Sequence, residues 1–229
     1  MNTKTILIIS LTATVAMLAT ACGGTANVNV NPSANTNRNA MNSSMPTNAS
    51  NMPMNANSNM SGMMDMKSSP DAAKQPYDLQ FIDTMTHHHQ GALDMAKMAL
   101  AKTTNDELKK FVRKIVDDQT KEIGQMKEWR DKWYAGKPMA MNMEMPGMMN
   151  SMKMMSGDEM KHLQGATGND FDVDFLDMMT PHHEGAITMA KDALTKAEHA
   201  EVKTLSNQII KAQESEIKQM SDWKAKWSK

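Results

Sequence analysis

From Phe81 onward, apolar positions recur with a period near 3.6 residues. Phe81, Ile82, Met85, His88, His89, Ala92, Leu93, Ala96, Ala99 and Leu100 share one face, while His87, Gln90, Asp94 and Lys97 point elsewhere. This predicts an amphipathic helix. Thr103-Thr104-Asn105-Asp106 interrupts the pattern, and Thr104-x-x-Glu107 has the form of a capping box that opens a second helix. That helix buries Leu108, Phe111, Val112, Ile115, Gln119, Ile123, Met126 and Trp133, and ends near Tyr134-Ala-Gly136-Lys-Pro138. So short a loop makes the two helices antiparallel neighbours, a helical hairpin.

The hairpin occurs twice. Phe81 aligns with Phe175 at a shift of 94 residues, and the register holds without a gap through Leu100 and Leu194, Ile115 and Ile209, Met126 and Met220, and Trp133 and Trp227. One hairpin leaves an apolar stripe exposed, whereas two can bury each other. The expected fold is all-α, a four-helix bundle of two duplicated hairpins over 77–136 and 171–229, joined by a Met-rich connection over 137–170. The paired tryptophans are expected to plug one end of it.

Antiparallel pairing puts Met85, His88 and His89 in a layer with Gln119, Glu122 and Met126, and Met179, His182 and His183 in a layer with Gln213, Glu216 and Met220. Positions i, i+3 and i+4 meet on one helix surface. Imidazole and thioether are ligands for soft or borderline metals, so a duplicated copper-type site is expected. A single Met or His on a helix face is ordinarily core packing. Four buried imidazoles carry four donors and four acceptors that all need partners, which favours a metal. Glu122 and Glu216, with Gln119 and Gln213, are expected to hold the imidazole N–H groups from behind. Gly91 and Gly185 interrupt helices at a propensity cost of about 1 kcal/mol each, which suggests a close helix approach beside the His layer. Pro181 removes a helix hydrogen bond in the second copy only. His87, His162 and His199 have no repeat mate and read as surface residues or auxiliary ligands.

Composition sharpens this reading. The chain has 229 residues, of which 28 are Met, where ordinary usage of about 2% would give roughly 5. Many lie in two low-complexity tracts, Met52 to Met66 and Met139-Ala-Met141-Asn-Met143-Glu-Met145-Pro-Gly-Met148-Met149 continuing to Met160. Read as flexible, these tracts offer Met-x-Met clusters that could wrap a Cu(I) or Ag(I) ion, with Met139, Met141, Met143, Met145, Met148 and Met149 as auxiliary ligands. Adaptable thioethers could equally form a sticky partner-binding surface. The net charge of −1, with no long basic run, lacks the electrostatic footprint of a nucleic-acid binder.

At the start, Lys4 precedes the apolar stretch Ile6 to Ala19, and Leu18-Ala-Thr-Ala21-Cys22-Gly23 resembles a lipoprotein lipobox, with Ala19 a mild departure. Residues 1–21 are thus expected to be a signal peptide and Cys22, the single cysteine, a lipidated membrane anchor facing an oxidising compartment. Gly23 fits outer-membrane sorting by analogy with Gram-negative lipoproteins. Residues 22–76, poor in aromatic and β-branched side chains, are expected to be a disordered tether.

The paired F-x-D-x-M-x-x-H-H-x-G-A-x-x-M-A motifs, each followed by Gln-x-x-Glu-Ile-x-x-Met-x-x-Trp, resemble the bacterial domain-of-unknown-function family numbered 305. The resemblance implies a ferritin-like bundle and copper or silver binding in the periplasm. It also implies a ligand set of Met85, His88, His89, Met95 and Met126 with Met179, His182, His183, Met189 and Met220. Two function classes follow: a non-enzymatic lipoprotein that sequesters copper or passes it to a copper-accepting protein, and a ferritin-like metalloenzyme oxidising Cu(I). A metal-free Met-rich adaptor is the third reading. Di-iron bundles need Glu-x-x-His on two helices, and the one such match, Glu159-x-x-His162, lies in the connection. No nucleophile set or phosphate-cradling loop is present either, so the binding protein is the preferred reading.

Overall fold

The computed structural model describes residues 67–155 and 157–228. Their regular structure is entirely helical: a 3-10 turn (Ala72–Lys74), then α1 (Tyr77–Lys102), α2 (Asp106–Trp133), α3 (Met148–Met154), α4 (Asp158–Gly165), α5 (Gly168–Lys196) and α6 (Ala200–Trp227). The expected signal peptide over 1–21, Cys22 and the Met52 to Met66 tract fall outside the described residues.

The four long helices form two hairpins, α1 with α2 and α5 with α6. The cap that opens α2 is Asn105, whose side-chain oxygen accepts from the backbone N–H of Glu107 and Leu108. Thr104 does not cap it. Thr103 supports the turn instead, its hydroxyl accepting from Asn105 N. The extended backbone of Asn105 leaves its short amide within reach of the first free N–H groups, the geometry that favours Asn at this position. α5 runs through Pro181 without interruption.

The hairpins meet through α1 and α5, which are antiparallel: the Tyr77 hydroxyl donates to Asp192 at 2.9 Å, and eleven residues further along α1 the His88 ring lies on His182. α2 and α6 also oppose each other in direction, since Phe111 packs on Trp223, Lys114 reaches Glu216 and Trp133 stacks on His199. The two hairpins are therefore related by a pseudo-twofold. That symmetry puts one tryptophan pair, Trp129 with Trp133, at one end and the other, Trp223 with Trp227, at the opposite end, correcting the expectation of a single plug. His199 is no free surface residue. It stacks 3.8 Å from the Trp133 ring and pairs with Asp78 at 2.6 Å.

The connection is structured rather than flexible. Met143, Met145, Met148, Met152, Met155 and Met160 are buried in the core, while Met139 and Met149 are exposed and Met141 is half-buried. Its first part is strapped to α1 by polar groups that satisfy one another: Ala140 N donates to Asp83 at 2.8 Å, Asn142 N to the Thr84 hydroxyl at 2.9 Å, and the Asn142 amide to Gln80 at 2.8 Å. Arg130 fixes the second Asp83 oxygen from α2 at 2.8 Å. Buried polar groups are tolerated only when paired in this way. Beyond it, α3 packs across α5 and α1.

Candidate metal centre

His88 and His182 are repeat mates, and residues related by a twofold touch only on its axis. They do so here, with ring centroids 3.8 Å apart and planes inclined by 35°. Both are fully buried, and neither ring nitrogen of either residue makes a hydrogen bond. Burial holds both imidazoles well below the ordinary histidine range, and the neighbouring histidine rings add to that effect. For His182 the backbone of His88 works weakly in the other direction. These are neutral nitrogens in an apolar layer. Leaving such groups unpartnered costs about 1–3 kcal/mol each, a cost that a ligand would relieve.

His89 and His183 flank the pair and are also fully buried, with ring centroids 6.2 Å and 6.4 Å from those of His88 and His182. In each, Nε2 is held by a carboxylate across the hairpin, Glu122 at 2.7 Å and Glu216 at 2.9 Å, while Nδ1 has no partner. A carboxylate behind an imidazole fixes its orientation and raises its basicity as a ligand. The halves are not equivalent. Lys114 reaches across from α2 to Glu216 at 2.8 Å, while its repeat mate is Gln208, which has no charge to offer Glu122. Burial pushes the Glu216 carboxyl up, but the hydrogen bonds and charges of His183 and Lys114 outweigh it and hold the group below its ordinary value.

The thioethers expected around this layer are all in the core: Met85, Met95, Met126, Met179, Met189 and Met220 are completely buried. The sulfurs of Met126 and Met220 sit 3.8 Å and 4.0 Å from the Thr86 and Thr180 hydroxyls, the same arrangement in both copies. Gln119 and Gln213 are buried at 3% exposure. Both amide heteroatoms of Gln119 and the carbonyl oxygen of Gln213 lack hydrogen bonds. Among the described residues, no three His, Cys, Asp or Glu side chains are gathered as a metal cluster. Imidazole and thioether side chains packed in one layer are donor types that suit a soft ion.

The family model described as Domain of unknown function (DUF305) matches residues 14–130 and 78–224. The chain belongs to this family. Among solved structures, DUF305 chains and copper proteins share its fold. CopM in its Cu(I)-bound form is 39% identical, with a TM-score of 0.54 over 66% of this chain and 96% of that one. CopM in its Cu(II)-bound form is 41% identical, with a TM-score of 0.55 over 66% and 97%. A DUF305 protein from Streptomyces coelicolor, named as secreted, is 30% identical, with a TM-score of 0.59 over 69% and 96%. No curated protein matches the chain.

In this DUF305 chain, sequence reasoning counted Met155 among the tract thioethers but did not place it beside the histidines. Met155 is buried, and the end of its side chain takes the space a Gly91 side chain would need, a space that His182 Nε2 also borders. Met155 has no repeat mate, so the duplication could not flag it. The two mid-helix glycines were the available signal. Gly185 is filled in the same way by Ser151 and the Gly147 carbonyl, so the element that approaches closely at both glycines is the connection with its helix α3.

Proposed function

We propose that this chain is an exported copper-binding protein that takes up Cu(I), with Ag(I) as a substitute, in the buried histidine and methionine layer. It sequesters the ion or hands it to a copper-accepting protein and does not turn it over. The observation that carries the reading is the His88 and His182 pair: four neutral, unpartnered ring nitrogens, fully buried beside thioethers. The ligands are drawn from Met85, His88, His89, Met95 and Met126 and their mates Met179, His182, His183, Met189 and Met220. Glu122 and Glu216 orient the outer imidazoles. The copper- and silver-bound CopM structures, at 39–41% identity, support the choice of ion. The lipobox-like Leu18 to Gly23 supports export and anchoring through a lipid on Cys22.

The test is anaerobic Cu(I) titration against a chromophoric chelator, with the parent and a variant carrying Ala at His88, His89, His182 and His183. The parent is expected to hold Cu(I) tightly without consuming oxygen on later exposure to air, and the variant to lose the tightest class of sites. A variant that binds as the parent does would overturn the histidine assignment, and steady oxygen uptake would turn the reading to an oxidase. Fatty-acid labelling that is lost in Cys22→Ser tests the anchor.

A further inference from the structure

The connection between the repeats packs directly onto the histidine layer. α3 and the residue after it lie over two repeat-mate glycines, Gly91 on α1 and Gly185 on α5. At Gly185 the seat is made by Ser151, whose hydroxyl donates to the Gly147 carbonyl at 2.9 Å with the His182 carbonyl 3.4 Å away. At Gly91 it is made by Met155: a β-carbon there would stand 2.6 Å from its methyl, 3.1 Å from its sulfur and 3.6 Å from His182 Nε2. The thioether and the unpartnered imidazole nitrogen thus border the same small space. Met155 is 3% exposed, although it belongs to a connecting segment.

We propose that Met155 is the third donor of the central site, a thioether delivered by the connection to an ion held by His88 and His182, and that Gly91 lacks a side chain in order to admit it. This rests on the copper-binding reading above and deepens it. Two neutral imidazoles and one thioether form an uncharged, soft donor set, suited to Cu(I) and Ag(I) and poor for Zn(II), which prefers thiolate, imidazole or carboxylate. The position of the donor also defines a way in. Lifting the connection removes one ligand and uncovers the other two, so uptake and release are coupled to docking of α3.

The experiment uses the full mature chain, with Cu(I) competition and copper K-edge X-ray absorption. Met155→Leu keeps bulk while removing sulfur, and Gly91→Ala expels the Met155 side chain from the other direction. Each is expected to weaken the tightest Cu(I) site about tenfold or more and to lower the sulfur contribution to the absorption spectrum, with little change in apo unfolding temperature. Met160→Leu, a buried methionine of α4, is the control and should change neither. If His88→Ala with His182→Ala abolishes the site while Met155→Leu leaves affinity and sulfur scattering intact, Met155 is not a ligand and the copper reading stands. If the double histidine variant also binds as the parent does, both fall.

Discussion

Asp78, in the first turn of α1, holds the turn that leads into α6. Its carboxylate accepts from the backbone N–H of Glu198 and His199 and from the His199 ring at 2.6 Å, and it is 1% exposed. One side chain of the first repeat thus pairs the backbone N–H groups of the turn before the last helix and joins the two hairpins. In the mirror position, Asp172 lies beside Thr103.

Removing that carboxylate leaves the part-buried N–H groups of Glu198 and His199 without their partner. Asp78→Ala is expected to cost about 3 kcal/mol, from several hydrogen bonds to a carboxylate lost together. In a domain of this size that is a fall in Tm of roughly 6–12 °C. Asp78→Asn retains one acceptor oxygen and should lose less. Calorimetry on the three proteins checks the order; an alanine variant as stable as the parent would show that the Asp78 bonds contribute nothing.

The two glycines should respond differently to alanine. Replacing a mid-helix Gly ordinarily gains up to about 1 kcal/mol. At Gly91 the obstructing atom is the flexible end of Met155, so the apo protein should be near neutral. At Gly185 the new β-carbon meets Ser151 and the Gly147 carbonyl oxygen at 2.6 Å, and backbone cannot give way cheaply. Overpacking of that kind costs about 1–3 kcal/mol. Urea unfolding should therefore rank Gly185→Ala clearly below Gly91→Ala, and equal midpoints would contradict the seat described for α3.

Apo stability should fall on the acid side because of the histidine pair. The folded protein keeps His88 and His182 neutral well below the ordinary value of 6.5, whereas the unfolded chain protonates them near it. Above that pH neither state binds these protons and stability is flat with respect to them. Below it the unfolded state gains protons first, so stability drops by at most about 1.4 kcal/mol per pH unit for each histidine. Glu216, held below 4.5, adds a second loss at still lower pH. Chemical unfolding at pH 7, 6 and 5 should show this slope in the parent and a shallower one in a His88→Leu, His182→Leu variant. Identical slopes would place the acid sensitivity elsewhere.

The methionines of the connection divide by burial. Met143→Ser and Met148→Ser empty core positions and should each cost about 2–5 kcal/mol, as other large-to-small core changes do. Met139→Ser and Met149→Ser, at 61% and 49% exposure, should leave apo Tm unchanged. Thermal unfolding of the four variants tests whether the tract is core or tether. Any Cu(I) capacity lost with Met139 and Met149 alone would belong to surface thioethers.

The sequence alone carried the helices, their hairpin pairing and the duplication, because periodicity and a gapless 94-residue shift are local properties that tertiary contacts need not supply. It also put Glu122 in the layer of His89 and Glu216 in that of His183, since an antiparallel hairpin with a short turn fixes which residues oppose each other. Contacts between the hairpins were not written there. A helix face records that it is buried and is silent about what buries it. Only the pseudo-twofold decided that His88 meets His182, that Asp78 holds the turn before α6 and that the tryptophan pairs lie at opposite ends. The connection was illegible for a related reason. Its methionines follow no helical period, and their burial depends on Asp83, Thr84 and two glycines of α1 and α5 presenting a surface that exists only once both hairpins have packed.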